Sequence, residues 1–313
     1  MKKNLLGINW EISRNCNLKC VYCRVNDGKK FGDLSTNQCK KIINALNALN
    51  YEHIQFTGGE PLFRQDFWEI ASYIHKLGIK TSLVTNATLI KNSDLELFNK
   101  YIYIVAISLD SLDDEHNKLL GRPSHKIIAN KIRQLVKQGL HVKISATLTR
   151  INRNGVADLL EFVKSTGVEE IKINDFVADG QTLVCEKKLE LERPLLKDVG
   201  SLSSIVKQKL GEKTKYQKFF RCECSSNGLF ITHSGDLYPC VELSYTNKYF
   251  CLGNMLKDNF GEMLLTNNRF SQQIKKGDLC RYSFLSSQRF SSCLNRGHCP
   301  KSLFNYMKNA KQD

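Results

Sequence analysis

Between residue 5 and about residue 176, short β-rich runs alternate with longer helical ones, and few folds accept that order. The strand readings are 5–12, 53–57, 80–85, 102–109, 141–148 and 170–176. Helical periodicity of 3.6 residues covers 36–49, where Ile42, Ile43, Leu46 and Leu49 share one face, and recurs at 66–77, 93–99, 126–138 and 155–165. Strands that alternate with helices predict an α/β chain of parallel βα units. The expected architecture is a partial or full barrel of six βα units with its chemistry at the C-terminal strand ends. An open doubly wound sheet is the alternative, although no Gly-x-Gly-x-x-Gly follows the first strand.

Residues 177–221 read as a polar connector with one or two helices. After it the pattern changes to a β-hairpin, 228–232 and 237–241 around Ser234-Gly235-Asp236, and then to a cysteine-studded tail that reads as irregular. The expected division is a barrel with its connector over 1–214 and a small cysteine-rich domain over 215–313. No apolar run approaches the roughly 18 residues a membrane span needs. Lys2 and Lys3 precede an apolar stretch that Asn9 and Glu11 end too early for a secretion signal, which predicts a cytoplasmic protein without a membrane partner.

Forty-six basic against 31 acidic residues make a formal charge of +15, which favours anionic partners such as an acidic peptide, a phosphorylated metabolite or nucleic acid. A solvated basic face explains runs such as 207–221 equally well. The 12 cysteines constrain more. A reducing compartment disfavours disulfides and leaves metal or cluster ligation as the default. Cys16, Cys20 and Cys23 crowd together, Cys39 and Cys185 stand alone, and seven lie between Cys222 and Cys299, so two separate centres are expected. Cys39 and Cys185 read as buried thiols packing as small hydrophobes.

Cys16-x3-Cys20-x2-Cys23 directly follows the first expected strand. Three thiolates on one loop can hold three irons of a [4Fe–4S] cube and leave the fourth open to a small molecule. A structural zinc site needs a fourth ligand from elsewhere. The segment from Glu11 to Cys23, with Tyr22 beside the last cysteine, resembles the cluster loop of the radical S-adenosylmethionine (SAM) superfamily. Thr57-Gly58-Gly59-Glu60-Pro61-Leu62, after the second strand, resembles the segment that this family uses for the SAM methionine amine. Asn86 and the Ser108-Leu109-Asp110 run, at the ends of the third and fourth strands, match family positions around SAM and substrate; each also suits a helix cap. The resemblance implies a radical SAM type barrel and one-electron cleavage of SAM to methionine and a 5′-deoxyadenosyl radical. That radical would take hydrogen from an unactivated C–H bond, and a reducing partner such as a flavodoxin or ferredoxin would supply the electron.

The C-terminal cysteines resemble a SPASM domain or its shorter twitch form, through Cys222, Cys224, Gly235-x4-Cys240 and the stretch after Cys251. That resemblance implies at least one auxiliary [4Fe–4S] cluster, with Cys240 as a ligand and Cys222, Cys224, Cys280, Cys293 and Cys299 as the other candidates. Phe290 and Leu303 stand where two further cysteines of the full pattern belong, which leaves a second auxiliary cluster open. Cys251 reads as a catalytic hydrogen-atom donor, a ligand or a structural thiol.

The text from Val105 to Asp113, with His116 and Gly121-Arg122, resembles two subgroups, peptide- and haem-modifying enzymes and pyranopterin-forming enzymes. The arginines of the second are replaced here by Ser226, Gly228 and Phe230, and no Gly-Gly tail ends the chain. The expected substrate is therefore a ribosomally made peptide that undergoes a crosslink, epimerisation or oxidation, with an acidic leader suiting the basic surface. No separate peptide-recognition domain precedes the first strand, which keeps a small-molecule substrate (a sugar, aminocyclitol or tetrapyrrole) as the alternative. A zinc-containing nucleic-acid-binding protein is a further alternative that leaves the Gly-Gly-Glu-Pro segment unexplained.

Overall fold

The computed structural model describes residues 7–25, 31–176, 185–189, 215–217, 229–246 and 248–275. Strand β1 (Gly7–Ser13) pairs in parallel with β2 (His53–Gly58), setting Ile8 opposite Ile54 and Trp10 opposite Phe56. Parallel pairing continues through β3 (Lys80–Thr85), β4 (Ile104–Ser108), β5 (Val142–Leu148), β6 (Glu170–Asp175) and the short β7 (Lys215–Gln217). The first six strands lie side by side in chain order. A doubly wound sheet needs a point where strand order reverses. Unidirectional crossovers instead lay every helix on one face, as a barrel requires. Among the described residues the sheet runs from β10 to β7, with no pairing between those two strands, as in a partial barrel.

The connecting helices are α1 (Thr36–Ala48), α2 (Phe67–Lys76), α3 (Leu95–Tyr101), α4 (Asp114–Leu119), α5 (His125–Lys137) and α6 (Val156–Thr166). Ser35 and Gln38 form a capping box that starts α1. Alternation along β5 shows how the sheet divides its faces. Val142, Ile144, Ala146 and Leu148 are buried, whereas Lys143, Ser145 and Thr147 between them are half-buried. On β1 the apolar set is Ile8, Trp10 and Ile12, with Trp10 packed 5.8 Å from Phe56, and the other face carries Asn9, Glu11 and Ser13. Each fully buried large apolar side chain of this core contributes about 1.5–3 kcal/mol.

A short polar stretch, α7 (Glu186–Leu189), belongs to the expected connector, which also supplies β7 at the sheet edge. On the other flank, β8 (Leu229–Ile231) pairs in parallel with β1, and β9 (Asp236–Tyr238) turns back antiparallel to β8 as the expected hairpin. A two-residue strand β10 (Gly253–Asn254) follows α8 (Val241–Thr246). The tail departs from the irregular reading: α9 (Phe260–Lys275) is a 16-residue helix that buries Phe260, Met263 and Asn267. Phe260, Met263 and Leu264, at helical spacing, lay its first turns on the core, and that tertiary contact stabilises it. Leu49 also departs from expectation: α1 ends at Ala48, and Leu49 is an exposed C-cap. Among the described residues, no helix is long and apolar enough to cross a membrane.

Candidate cluster and S-adenosylmethionine site

The loop leaving β1 carries Cys16, Cys20 and Cys23, and Cys23 closes a turn by donating its N–H to the Cys20 carbonyl at 3.1 Å. The three thiols form no disulfide and are half-buried. They are not drawn into a cage tight enough for one metal ion. A cube spreads its cysteine sulfurs over separate irons and requires no such convergence. Cys16 Sγ accepts from Leu18 N at 3.4 Å and Asn86 Nδ2 at 3.9 Å, and Cys20 Sγ from Arg122 Nη1 at 3.6 Å. Burial pushes the Cys16 thiol up to about 11, with Glu60 and the other two thiols adding to the rise and the Leu18 amide opposing it. Burial raises the Cys39 thiol alike, so the fit to a cluster rests on the three half-buried thiols sharing one loop, where a cluster would bind them as thiolates.

The Gly-Gly-Glu-Pro turn is stitched directly to this loop. Gly59 N donates to the Ser13 carbonyl at 2.8 Å and Glu60 N to the Asn15 carbonyl at 2.9 Å. A Cβ on Gly59 would collide with the Arg14 and Asn15 carbonyls, so only glycine admits this approach. Pro61 then opens a 3₁₀ turn whose N-cap is Glu60.

The buried Glu60 carboxylate accepts from Leu62 N at 3.1 Å, Thr85 Oγ1 at 2.8 Å and Asn86 N at 2.8 Å. It thereby ties the ends of β2 and β3. Burial raises its pKa, and these three hydrogen bonds offset part of the rise. A carboxylate offers about four acceptor positions. With three taken, one remains for an ammonium group, and a cation there would relieve the desolvation that raises Glu60. The residues present thus fit both a [4Fe–4S] cube and the methionine amine of SAM.

At the neighbouring strand ends, Asn86 Nδ2 donates to Asn17 Oδ1 at 3.0 Å, joining β3 to the cluster loop. Tyr22 donates its hydroxyl to Asp110 Oδ2, and Thr147 N donates to Asp110 Oδ1 at 2.8 Å. Burial, and then the Asp110 charge, hold the Tyr22 phenol well above its ordinary value. Ser108 is half-buried, and its carbonyl accepts from Arg122 Nη2 at 2.7 Å. Tyr22, Gly58, Gly59, Glu60, Pro61, Asn86, Ser108 and Asp110 therefore border the C-terminal ends of β1 to β4, around the three cysteines. Arg122, Asn17 and Thr85 join them, and Arg122 escaped the sequence reading as a site residue. It appears there only within Gly121-Arg122, and no local spacing shows that it folds back to Cys20.

In the second centre, Cys240 is buried just after β9. Cys251 donates its S–H to the Gly253 carbonyl at 3.4 Å. It also lies beside Tyr238, whose phenol is raised by burial and then by the Cys251 charge. Cys222, Cys224, Cys280, Cys293 and Cys299 lie outside the described residues. Cys39 is fully buried, whereas Cys185 is half-buried and hydrogen-bonds the Val21 carbonyl at 3.4 Å.

The chain is similar in sequence and in fold to known proteins. Residues 10–163 match the family model of the radical SAM superfamily. Residues 222–299 match that of SPASM, an iron–sulfur cluster-binding domain, and the matched segment starts and ends on cysteines. The mycofactocin maturase MftC of Mycobacterium tuberculosis is 38% identical over 161 residues, covering 50% of this chain and 40% of MftC. The antilisterial bacteriocin subtilosin biosynthesis protein AlbA of Bacillus subtilis is 26% identical over 270 residues, covering 82% of this chain and 58% of AlbA. The alignments thus span less than two thirds of either relative.

Streptococcus suis SuiB bound to SAM superposes with a TM-score of 0.72 at 18% identity, over 90% of this chain and 70% of SuiB. SuiB bound to its precursor peptide SuiA superposes with a TM-score of 0.70 at 18% identity, over 92% of this chain and 69% of SuiB. The chain thus belongs to the radical SAM superfamily, through residues 10–163, and carries a C-terminal SPASM iron–sulfur cluster-binding domain over residues 222–299.

Proposed function

We propose that this enzyme modifies a ribosomally made peptide by hydrogen abstraction, ending in a crosslink, an epimerisation or an oxidation. The observation that carries the reading is the direct stitching of Gly59 and Glu60 to the cysteine loop, which makes cluster loop and amine site one rigid unit. When bound, the cluster and SAM would supply a 5′-deoxyadenosyl radical at the strand ends. This chain's residues orient the reactants: Glu60 takes the SAM amine, Asn86 braces Asn17 beside Cys16, and the polar sheet face around Ser108, Ser145 and Thr147 receives the substrate. The peptide substrate is supported by the relatives, which include a maturase, a bacteriocin biosynthesis protein and SuiB, solved with a precursor peptide. The formal charge of +15 suits an acidic leader segment.

In this reading residues 1–214 form the catalytic unit and 215–313 the auxiliary one. Cys240 ligates an auxiliary cluster together with cysteines drawn from Cys222, Cys224, Cys280, Cys293 and Cys299. A flavodoxin or ferredoxin delivers the electron.

The test begins with iron and acid-labile sulfide after anaerobic reconstitution of the wild type and of the chain carrying C16A, C20A and C23A. The triple variant is expected to lose one cube and all SAM cleavage while retaining auxiliary iron. An iron-free, zinc-loaded wild type would defeat the reading. Incubation with a small precursor peptide encoded beside the enzyme, read by mass spectrometry, is expected to show a modified peptide. An altered sugar, aminocyclitol or tetrapyrrole with an unchanged peptide would replace it with the small-molecule reading.

A further inference from the structure

The connection between α4 and α5 is laid against the cluster loop with nothing between the two backbones. Val21 N donates to the Leu120 carbonyl at 3.2 Å. Gly121, at φ +69°, sits where a Cβ would come 2.6 Å from the Lys19 carbonyl. That contact delivers the next side chain, Arg122, into the interior, where only 6% of it is exposed. Its guanidinium is fully directed. Nη2 donates to the Ser108 carbonyl at 2.7 Å, Nε lies 3.2 Å from Asp110 Oδ2, and Nη1 donates to Cys20 Sγ at 3.6 Å. Asp110 is itself held by Tyr22 and by Thr147 N. One buried cation thus faces a carboxylate on one side and a cluster-loop sulfur on the other.

Resting on the reading of Cys16, Cys20 and Cys23 as cluster ligands, we propose that Arg122 is a positioning residue that sets the cluster's reduction potential through its hydrogen bond and charge at Cys20. Reduction adds negative charge that is shared with the cysteine sulfurs. A buried N–H donor bearing positive charge favours that reduced state and raises the potential. Asp110 opposes the effect by neutralising part of the guanidinium charge. Lysine keeps the charge without the planar fork that reaches Ser108, Asp110 and Cys20 together, and glutamine keeps donors without the charge.

The experiment is a redox titration of the anaerobically reconstituted full chain, following the electron paramagnetic resonance signal that changes when SAM is added. Midpoints are expected in the order D110N above wild type, wild type above R122K, and R122K above R122Q. At fixed potential the reduced-to-oxidised ratio should fall about tenfold from wild type to R122Q, equivalent to about 59 mV. Equal midpoints in variants holding full iron overturn the proposal, and so does a D110N midpoint below wild type. If R122Q loses its iron, R122K carries the test, and a midpoint not below wild type is the overturning result. A wild type without any SAM-responsive cluster defeats the underlying reading instead, which iron content and the missing signal distinguish.

Discussion

His233, at the turn of the β8–β9 hairpin, holds Nδ1 3.3 Å from the carboxylate of Glu11 on β1, across 222 residues of sequence. Glu11 is only 2% exposed. Its other neighbours are the Tyr245 hydroxyl at 3.4 Å and Arg14 Nε at 3.6 Å. Phe31 packs edge-on against His233 at 5.2 Å and carries the Arg14 guanidinium 4.5 Å above its ring. This polar knot clamps the C-terminal hairpin to the strand from which the cysteine loop departs. In a double-mutant cycle of E11Q and H233A, the pair should show a coupling of about 0.5–3 kcal/mol, measured by urea unfolding of the chain. Additive effects would mean the contact carries no energy of its own.

Gly59 and Gly32 make a matched pair for substitution. G59A forces a methyl group into the Arg14 and Asn15 carbonyls, whereas nothing lies within 4 Å of a Cβ on Gly32. G59A should cost about 1–3 kcal/mol through overpacking, and G32A should stay within about 0.5 kcal/mol. Calorimetric SAM binding is expected to weaken in G59A alone, because the displaced turn carries Glu60.

Asn86 tests the link between β3 and the cysteine loop. N86A removes the donor to Asn17 and the bond at Cys16 Sγ. A lost hydrogen bond of this kind is worth about 0.5–1.5 kcal/mol, so SAM affinity should fall by up to about tenfold. Stability should fall as well, by about 0.5–1.5 kcal/mol for each lost bond, because the buried Asn86 Oδ1 also accepts from Thr88 N at 2.9 Å, while the backbone bond from Asn86 N to Glu60 survives.

Arg64 and Asp66 predict an acid limb. Arg64 donates to the Ile12 and Leu34 carbonyls and grips Asp66 at 2.7 Å. Burial alone would raise Asp66, but hydrogen bonds from Arg64 and Thr36 outweigh it and hold the carboxyl below its ordinary 3.8. A depressed folded-state value means the unfolded chain binds the proton more readily. The stabilisation is therefore present above pH 3.8 and is lost as pH falls through the folded value. Asp66 is partly exposed, so the effect should be under about 1 kcal/mol. D66N should flatten this limb in urea midpoints measured against pH.

Most of the fold is legible because its elements are local. The strand at 80–85 coincides with β3, a six-residue run rich in β-branched residues, and the helix at 126–138 is displaced by one residue from α5, whose side-chain periodicity runs over 13 residues. The α4 helix was not legible: six residues between Asp114 and Leu119 are too few to show a period. The α9 helix falls in the tail that reads as irregular, although Phe260, Met263 and Leu264 stand at helical spacing there. In the site, the cysteine spacing and the Gly-Gly-Glu-Pro turn could be read directly, since each is a short contiguous segment.

The sequence by itself therefore determined the order of the βα units, the three-cysteine loop after β1 and the glycine turn after β2, all properties of a few neighbouring residues. Tertiary structure alone decided that Glu60 spends its carboxylate on Thr85 and Asn86, that Arg122 reaches Cys20 across 102 residues, and that His233 meets Glu11. Those contacts depend on strand register and on which loops the parallel crossovers bring to the same end of the sheet. A one-residue slip in a strand turns every side chain to the other face, so no local pattern can carry that information.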